Sequence, residues 1–354
     1  MNAGASSRAC GRRSGPPSVS VLMATRNSDR YLDRCLDSIA AQTLRDFELV
    51  IIDDGSRDRT RERLAARSRR DPRIRVHRST GRGLVHALNQ GLALCRSPIV
   101  ARMDSDDRMR PERLRRQRAY LDAHPGVDVV GARVRAFPKA CVGAGMREYL
   151  RWQNARLTPR SMADDIYLES PLTQPSVTFR RDVVIDHGGY RDGDFPEDYE
   201  LWLRLARAGR RFGKCAEELL LWRQRADSYS RTDPRFSRDA FDRLRARYLC
   251  RDPRLGYGRP LAFWGAGRVT RKRCRHLISA GHAPTVWIDI DPKKIGARIG
   301  GAPVVSPDWL AGRQDGPDRP LVLVYVARHG ARELIGRRLD HLGYLRGQDY
   351  LMVG

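Results

Sequence analysis

Apolar and polar positions follow two rhythms along the first third of the chain. Short, nearly unbroken apolar runs such as VSVLMAT (Val19–Thr25) and the middle of FELVIIDDGS end in Asp, Gly, Ser or Asn. Runs of that length with such ends read as buried strands. Between them, Tyr31, Leu32, Cys35, Leu36 and Ile39 share one helical face, as do Leu84, Leu88 and Leu92. RIRVHRS and PIVARMDSDD supply a third and a fourth strand, and VDVVGARVRAF a fifth. Pro111 suits the first turn of the helix that carries Leu114 and Leu121. Strands alternating with helices predict an α/β fold: a mainly parallel sheet covered on both faces.

The pattern then changes twice. From 138 to 225 strands are harder to discern, but Tyr199, Trp202, Leu203 and Leu205 mark a helix that begins at Glu197. A charged, helical connector is expected over 226–258. Beyond it, RPLAFWGAGRVTRKRCRHLISAG, TVWIDID and RPLVLVYVA restore the strand–turn–helix rhythm and predict a smaller α/β domain over 259–354. Residues 1–18 show neither rhythm and read as a flexible tail.

Composition narrows the class. The chain has 354 residues, is 41% hydrophobic and carries a net charge of +25. Its seven cysteines are odd in number, scattered and without a CxxC pair. That suits a reducing compartment and predicts neither a disulfide framework nor a zinc site. No apolar run approaches the roughly 18 to 20 residues of a membrane span, and the N-terminal stretch lacks the apolar segment of a secretory signal. A cytoplasmic protein is expected. Of 67 basic residues only five are lysine, and the arginines are spread through every segment. Specific nucleic-acid binding is therefore not expected, whereas loose attraction to an anionic membrane, at the inner face of the plasma membrane, is.

The strand ends carry the chemistry. Ligands of open parallel sheets bind at the carboxyl ends of the strands. Strand one ends in Thr25-Arg26-Asn27, strand two in Asp53-Asp54-Gly55-Ser56, strand four in Asp104-Ser105-Asp106-Asp107. Ser56 and Asp58 read as helix caps, and Asp53 and Asp54 have a plainer reading as turn residues. Three carboxylates within four residues repel one another, so a positive charge is expected among them. An Asp-x-Asp pair offers hard oxygen ligands to magnesium or manganese, whose remaining positions substrate phosphates fill.

VSVLMATRNSDRYLDRCLDSIAAQTLRDFELVIIDDGSRDRT, GRGLVHALNQGLALCRSPIVARMDSDDRMRPERLRRQ and FPEDYELWLRLARAG, in that order, resemble family 2 glycosyltransferases of GT-A fold, over about residues 19 to 230. The resemblance implies a nucleotide-diphosphate sugar donor, UDP- or GDP-linked, with Mn2+ or Mg2+ as cofactor. It implies inversion at the anomeric carbon and a glycan, lipid-linked or other hydroxyl acceptor. Thr25 and Asn27 would border the nucleotide, Asp53 or Asp54 would meet the base, and Arg82 the base or diphosphate. Asp104 would face the ribose or metal, and Asp106 would be the principal metal ligand. Asp198 would be the catalytic base, oriented by Glu197, although the helix dipole there lowers an aspartate's pKa. Arg223 and Arg225 would approach the diphosphate; relatives often carry histidine where Arg225 stands. Gln174–Val177 would border the acceptor. On this basis 19–225 forms the GT-A domain, with a nucleotide half (19–137) and an acceptor half (138–225).

The C-terminal segment supports an alternative. Gly265-Ala266-Gly267, Thr270 at the third glycine position and Asp289 after the next strand approximate a Rossmann-like dinucleotide fingerprint. An NAD(P)-type oxidoreductase or a nucleotide-binding regulatory protein would use it. That reading leaves Asp104, Asp106, Glu197 and Asp198 without a role.

Overall fold

The computed structural model describes residues 15–256, 258–313, 316, 318–326, 328 and 330–354. Most of the expected tail, residues 1–14, therefore lies outside the described residues. Eight strands form the first sheet: β1 (Val19–Thr25), β2 (Phe47–Asp53), β3 (Ile74–Arg78), β4 (Ile99–Asp104), β5 (Arg108–Met109), β6 (Val129–Phe137), β7 (Thr178–Arg180) and β8 (Phe212–Arg223). Their order is β3-β2-β1-β4-β7-β6-β8-β5.

Both faces of β1, β2 and β4 are buried, as their unbroken apolar runs demand. Thr25 stands opposite Asp53 and Ala24 opposite Asp104 in parallel register, which aligns the three polar strand ends on one rim. The helix Leu84–Leu94 lies close on the sheet at Gly91, where a Cβ would strike Leu22 Cδ1 and come 3.0 Å from Ile52 Cγ1.

The fifth predicted strand is present as β6, and β7, brought back from the 170s, inserts antiparallel between it and β4. The sheet is thus parallel from β3 to β4 and mixed beyond. Pro111 precedes the helix Arg113–Ala123 rather than lying in its first turn.

The second sheet comprises β9 (Leu261–Trp264), β10 (Val286–Ile288), β11 (Arg298–Ile299), β12 (Ala302–Val305), β13 (Leu321–Val324) and β14 (Tyr350–Met352). Its order is β11-β12-β10-β9-β13-β14, and all pairs except β11–β12 are parallel. Leaving out β11, this is the doubly wound 3-2-1-4-5 arrangement.

The helix Arg238–Leu249 lies between the two sheets, and one apolar cluster runs from Leu22 and Val50 through Tyr199, Leu244 and Leu249 to Phe263 and Leu323. Among the described residues no helix is long and apolar enough to cross a membrane.

Candidate active site

The rim formed by β1, β2 and β4 is laced together before it meets any ligand. Asn27, at φ 51°, donates its backbone N–H to Ser56 Oγ (2.9 Å), and its Oδ1 accepts the Arg57 N–H (2.8 Å). Ser28 Oγ receives the Thr25 hydroxyl (2.8 Å) and lies 2.7 Å from Ser105 Oγ. Asp53 is buried with both oxygens engaged, Oδ1 by the Ser56 N–H and Oδ2 by Arg61 Nε (3.0 and 2.9 Å). Asp54 differs. Its Oδ2 accepts the Gly83 N–H at 3.0 Å, while its buried Oδ1 has no partner among the described residues. Arg82, beside Gly83, is exposed and lines a cavity of about 340 Å³ with Asp192, Asp194 and Arg235.

The acidic turn after β4 has the positive partners its charge density requires. Arg102, fully buried inside β4, donates from Nη2 to Asp104 Oδ1 at 2.7 Å and approaches Gln174 Oε1 at 3.5 Å. Arg225 Nε lies 3.1 Å from Asp106 Oδ2. Asp107 Oδ1 accepts the Arg223 backbone N–H at 2.6 Å, and Arg223 Nε donates to the Asp106 carbonyl at 2.8 Å. The Arg223 guanidinium is stacked 4.2 Å from the Tyr31 ring and 4.4 Å from that of Phe137. These contacts fasten the end of β8 to the end of β4.

Burial, then mutual repulsion, raises two carboxyl pKa values in this turn. Asp106 is pushed up by desolvation and Asp104, with Arg225 opposing; Asp107 is pushed well above the carboxylate range by burial and both neighbours. Among the described residues no group of three His, Cys, Asp or Glu side chains is arranged to hold a metal ion. The donor set nonetheless suits magnesium or manganese: the ion pairs engage one oxygen each of Asp104 and Asp106, and such ions take one or two carboxylates and complete their shell with substrate phosphates.

The second acidic pair opens the helix Glu197–Arg207, behind Pro196 at its N-cap. Glu197 is buried, its pKa is raised by desolvation, and its Oε2 has no partner among the described residues. Asp198 accepts the Tyr199 N–H through Oδ1 (2.7 Å), yet desolvation and then Glu197 push its pKa up to about 8. Burial here outweighs the backbone hydrogen bonds of the helix start, which lower it. The fields of Arg102 and Asp104 both reach Glu197, so one buried guanidinium relates the two acidic groups.

Sequence reasoning missed Arg102 and Asn89, gave Asp107 no role of its own, and counted Tyr31 only as an apolar helix position. Asn89 pins the 188–190 loop by accepting the Tyr190 N–H at 2.9 Å and donating to the Tyr190 carbonyl at 2.8 Å. Arg102 left a signal: a charged residue inside the apolar run PIVARM. Gln174 does border Arg102, but its Nε2 is buried without a partner among the described residues.

The C-terminal fingerprint is closed upon itself. Asp289 Oδ2 accepts the Ala266 N–H of the glycine turn (2.8 Å), its Oδ1 accepts the Asp291 N–H (3.0 Å), and Lys294 Nζ lies 3.3 Å away. The side chain that would grip a ribose is spent on the turn, which leaves the oxidoreductase alternative without its anchor.

The sequence profile of Glycosyl transferase family 2 matches residues 20–188. The amylovoran biosynthesis glycosyltransferase AmsE of Erwinia amylovora is 32% identical over 211 residues, 59% of this chain and 77% of that protein. The O-antigen biosynthesis glycosyltransferase WbnJ of Escherichia coli is 32% identical over 188 residues, 53% of this chain and 71% of the relative. Among solved structures, S. aureus TarS 1–349 in complex with UDP-GlcNAc aligns with a TM-score of 0.52 at 20% identity, over 66% of this chain and 67% of that one. The mannosyltransferase PcManGT from Pyrobaculum calidifontis, in complex with GDP-Man and Mn2+, aligns with a TM-score of 0.50 at 18% identity, over 76% and 70% of the two chains. At these identities the solved structures share the fold.

Proposed function

The chain belongs to glycosyl transferase family 2 and is a glycosyltransferase; from that premise we propose that it transfers a sugar, with inversion, from a nucleotide diphosphate to a hydroxyl of a glycan or lipid-linked acceptor. The observation that carries this reading is the buried Arg102, paired with Asp104 at 2.7 Å and near enough to Glu197 for their charges to interact, so that the donor-side and acceptor-side acids share one buried positive charge.

Asp54, with its unpartnered Oδ1, is the better candidate than Asp53 for hydrogen bonds from the base. Thr25 and Asn27 act through the loops they tie, and Arg82, exposed on the cavity lining, would meet the base or diphosphate. Asp104 and Asp106 would hold a divalent cation, Mn2+ or Mg2+, which would neutralise the departing diphosphate. PcManGT, solved with GDP-Man and Mn2+, supports that choice.

The acceptor oxygen attacks the anomeric carbon from the face opposite the diphosphate. Its proton passes to Asp198, whose raised pKa makes it, once ionised, a stronger base than an ordinary carboxylate. The carbon–oxygen bond to the diphosphate breaks, and the leaving group retains the electron pair. Glu197, buried beside Asp198, sustains that raised pKa and orients the acceptor hydroxyl.

In this reading residues 19–225 perform the reaction, 226–258 connect, and 259–354 form an accessory unit. The names of AmsE and WbnJ point to assembly of a bacterial surface polysaccharide. The net charge of +25 favours work beside an anionic membrane. Screening the purified protein for hydrolysis of UDP- and GDP-sugars tests the donor; indifference to all of them would refute the reading.

A further inference from the structure

We propose that Arg225 is an exchangeable counter-ion for Asp106, one that opposes a divalent cation arriving alone and yields to a cation arriving with a nucleoside diphosphate. The inference rests on the reading of Asp104 and Asp106 as cation ligands.

Among the described residues three arginines contact the acidic turn directly, and they are held differently. Arg102 is wholly buried and donates to Asp104. Arg223 is clamped between two aromatic rings and tied to the Asp106 carbonyl. Arg225 has neither constraint. Its Nε lies 3.1 Å from Asp106 Oδ2, but the N–H is not directed along a hydrogen bond, so charge alone holds the pair. The Arg225 and Asp106 side chains are 32% and 22% exposed. A displaced guanidinium can therefore enter water, or turn toward Asp227 Oδ2, already 3.6 Å away, or the Tyr31 ring at 5.4 Å.

The consequence follows from charge. Asp106 can offer a dication only the oxygen that Arg225 leaves free, and the two cations then repel each other at this range. A diphosphate changes the balance, because its oxygens bind both the metal and a planar guanidinium. A neutral histidine here would be a ligand and would exact no such cost; arginine makes the position a competitor. Metal and nucleotide then bind with positive coupling, and by linkage each tightens the other by the same factor.

Titration of Mn2+, followed by the electron paramagnetic resonance signal of the free ion, tests this in the full chain with and without UDP or GDP. Wild type should bind Mn2+ weakly alone and more tightly with nucleotide. Arg225→Gln should bind Mn2+ alone about tenfold more tightly, with a smaller gain from nucleotide. If Arg225→Gln binds Mn2+ alone no better than wild type while Asp106→Ala abolishes binding, Arg225 is no competitor and the cation site stands. If neither wild type nor Arg225→Gln takes up Mn2+ even with nucleotide, the cation site itself is refuted and the role of Arg225 with it.

Discussion

At the scale of single residues, the site is governed by what burial does to carboxylates. Asp198 with a pKa near 8 must lose its proton before it can accept one, so kcat/KM should rise about tenfold per pH unit below pH 8 and level off above it. A profile already flat between pH 6 and 8 would exclude Asp198 as the base. Asp198→Asn should retain the donor, measured by calorimetric titration, and lose transfer. The same shift has a stability consequence. The folded pKa lies above the unfolded value near 4, so the native state binds the proton more tightly and the carboxylate costs stability increasingly as pH climbs from 4 to 8. Asp198→Asn should therefore raise the melting temperature more at pH 9 than at pH 5. On the donor side, Asp106→Ala should slow transfer about a thousandfold, roughly 4 kcal/mol; near-normal turnover would remove that carboxylate from the site.

At the scale of elements, two positions carry much of the local geometry. Gly91 lets the helix Leu84–Leu94 rest on β1 and β2, and Gly91→Ala would press a methyl into Leu22 and Ile52. A cost of about 1 to 3 kcal/mol is expected, readable in denaturant titration. Lys214 of β8 is buried and donates to the Pro171 carbonyl at 2.9 Å as well as to that of Gln153. Lys214→Met takes this donor from the Pro171 carbonyl, at about 1 to 3 kcal/mol, whereas the Gln153 carbonyl keeps the Arg156 N–H at 3.2 Å. Elements also differ in how far the sequence reveals them. β1, β2 and β4 announce themselves because burial on both faces gives unbroken apolar runs with polar ends, and their shared rim follows from parallel pairing. The place of β7 does not, since Thr178–Arg180 is short and its partners Val100 and Val129 are far away in the chain. The same reason hides the clamp around Arg223: nothing local to WRQR says that Tyr31, far earlier in the chain, supplies one of its faces. Tyr31 counts as one more apolar position on its helix until the fold turns it toward the acidic turn.

At the scale of the molecule, the two sheets are one body. Tyr167 donates its hydroxyl to Asp252 Oδ2 (2.9 Å), Arg346 pairs with Asp165, and Tyr248 reaches Glu200 on the helix that carries Asp198. With a continuous apolar cluster between the sheets, calorimetry should record a single unfolding transition; two well-separated transitions would contradict a shared core. The cysteines offer a way to watch the molecule work. Cys35, Cys95, Cys215 and Cys274 are buried, burial keeps their thiols protonated, and Cys250 is half-buried, whereas Cys141 is exposed. Its carbonyl accepts a hydrogen bond from Arg231 Nη2 (3.4 Å), six residues past Arg225. With Cys10 replaced by serine, a maleimide fluorophore would settle on Cys141, beside the segment that carries Arg225, and would turn an incidental thiol into an optical gauge of nucleotide loading.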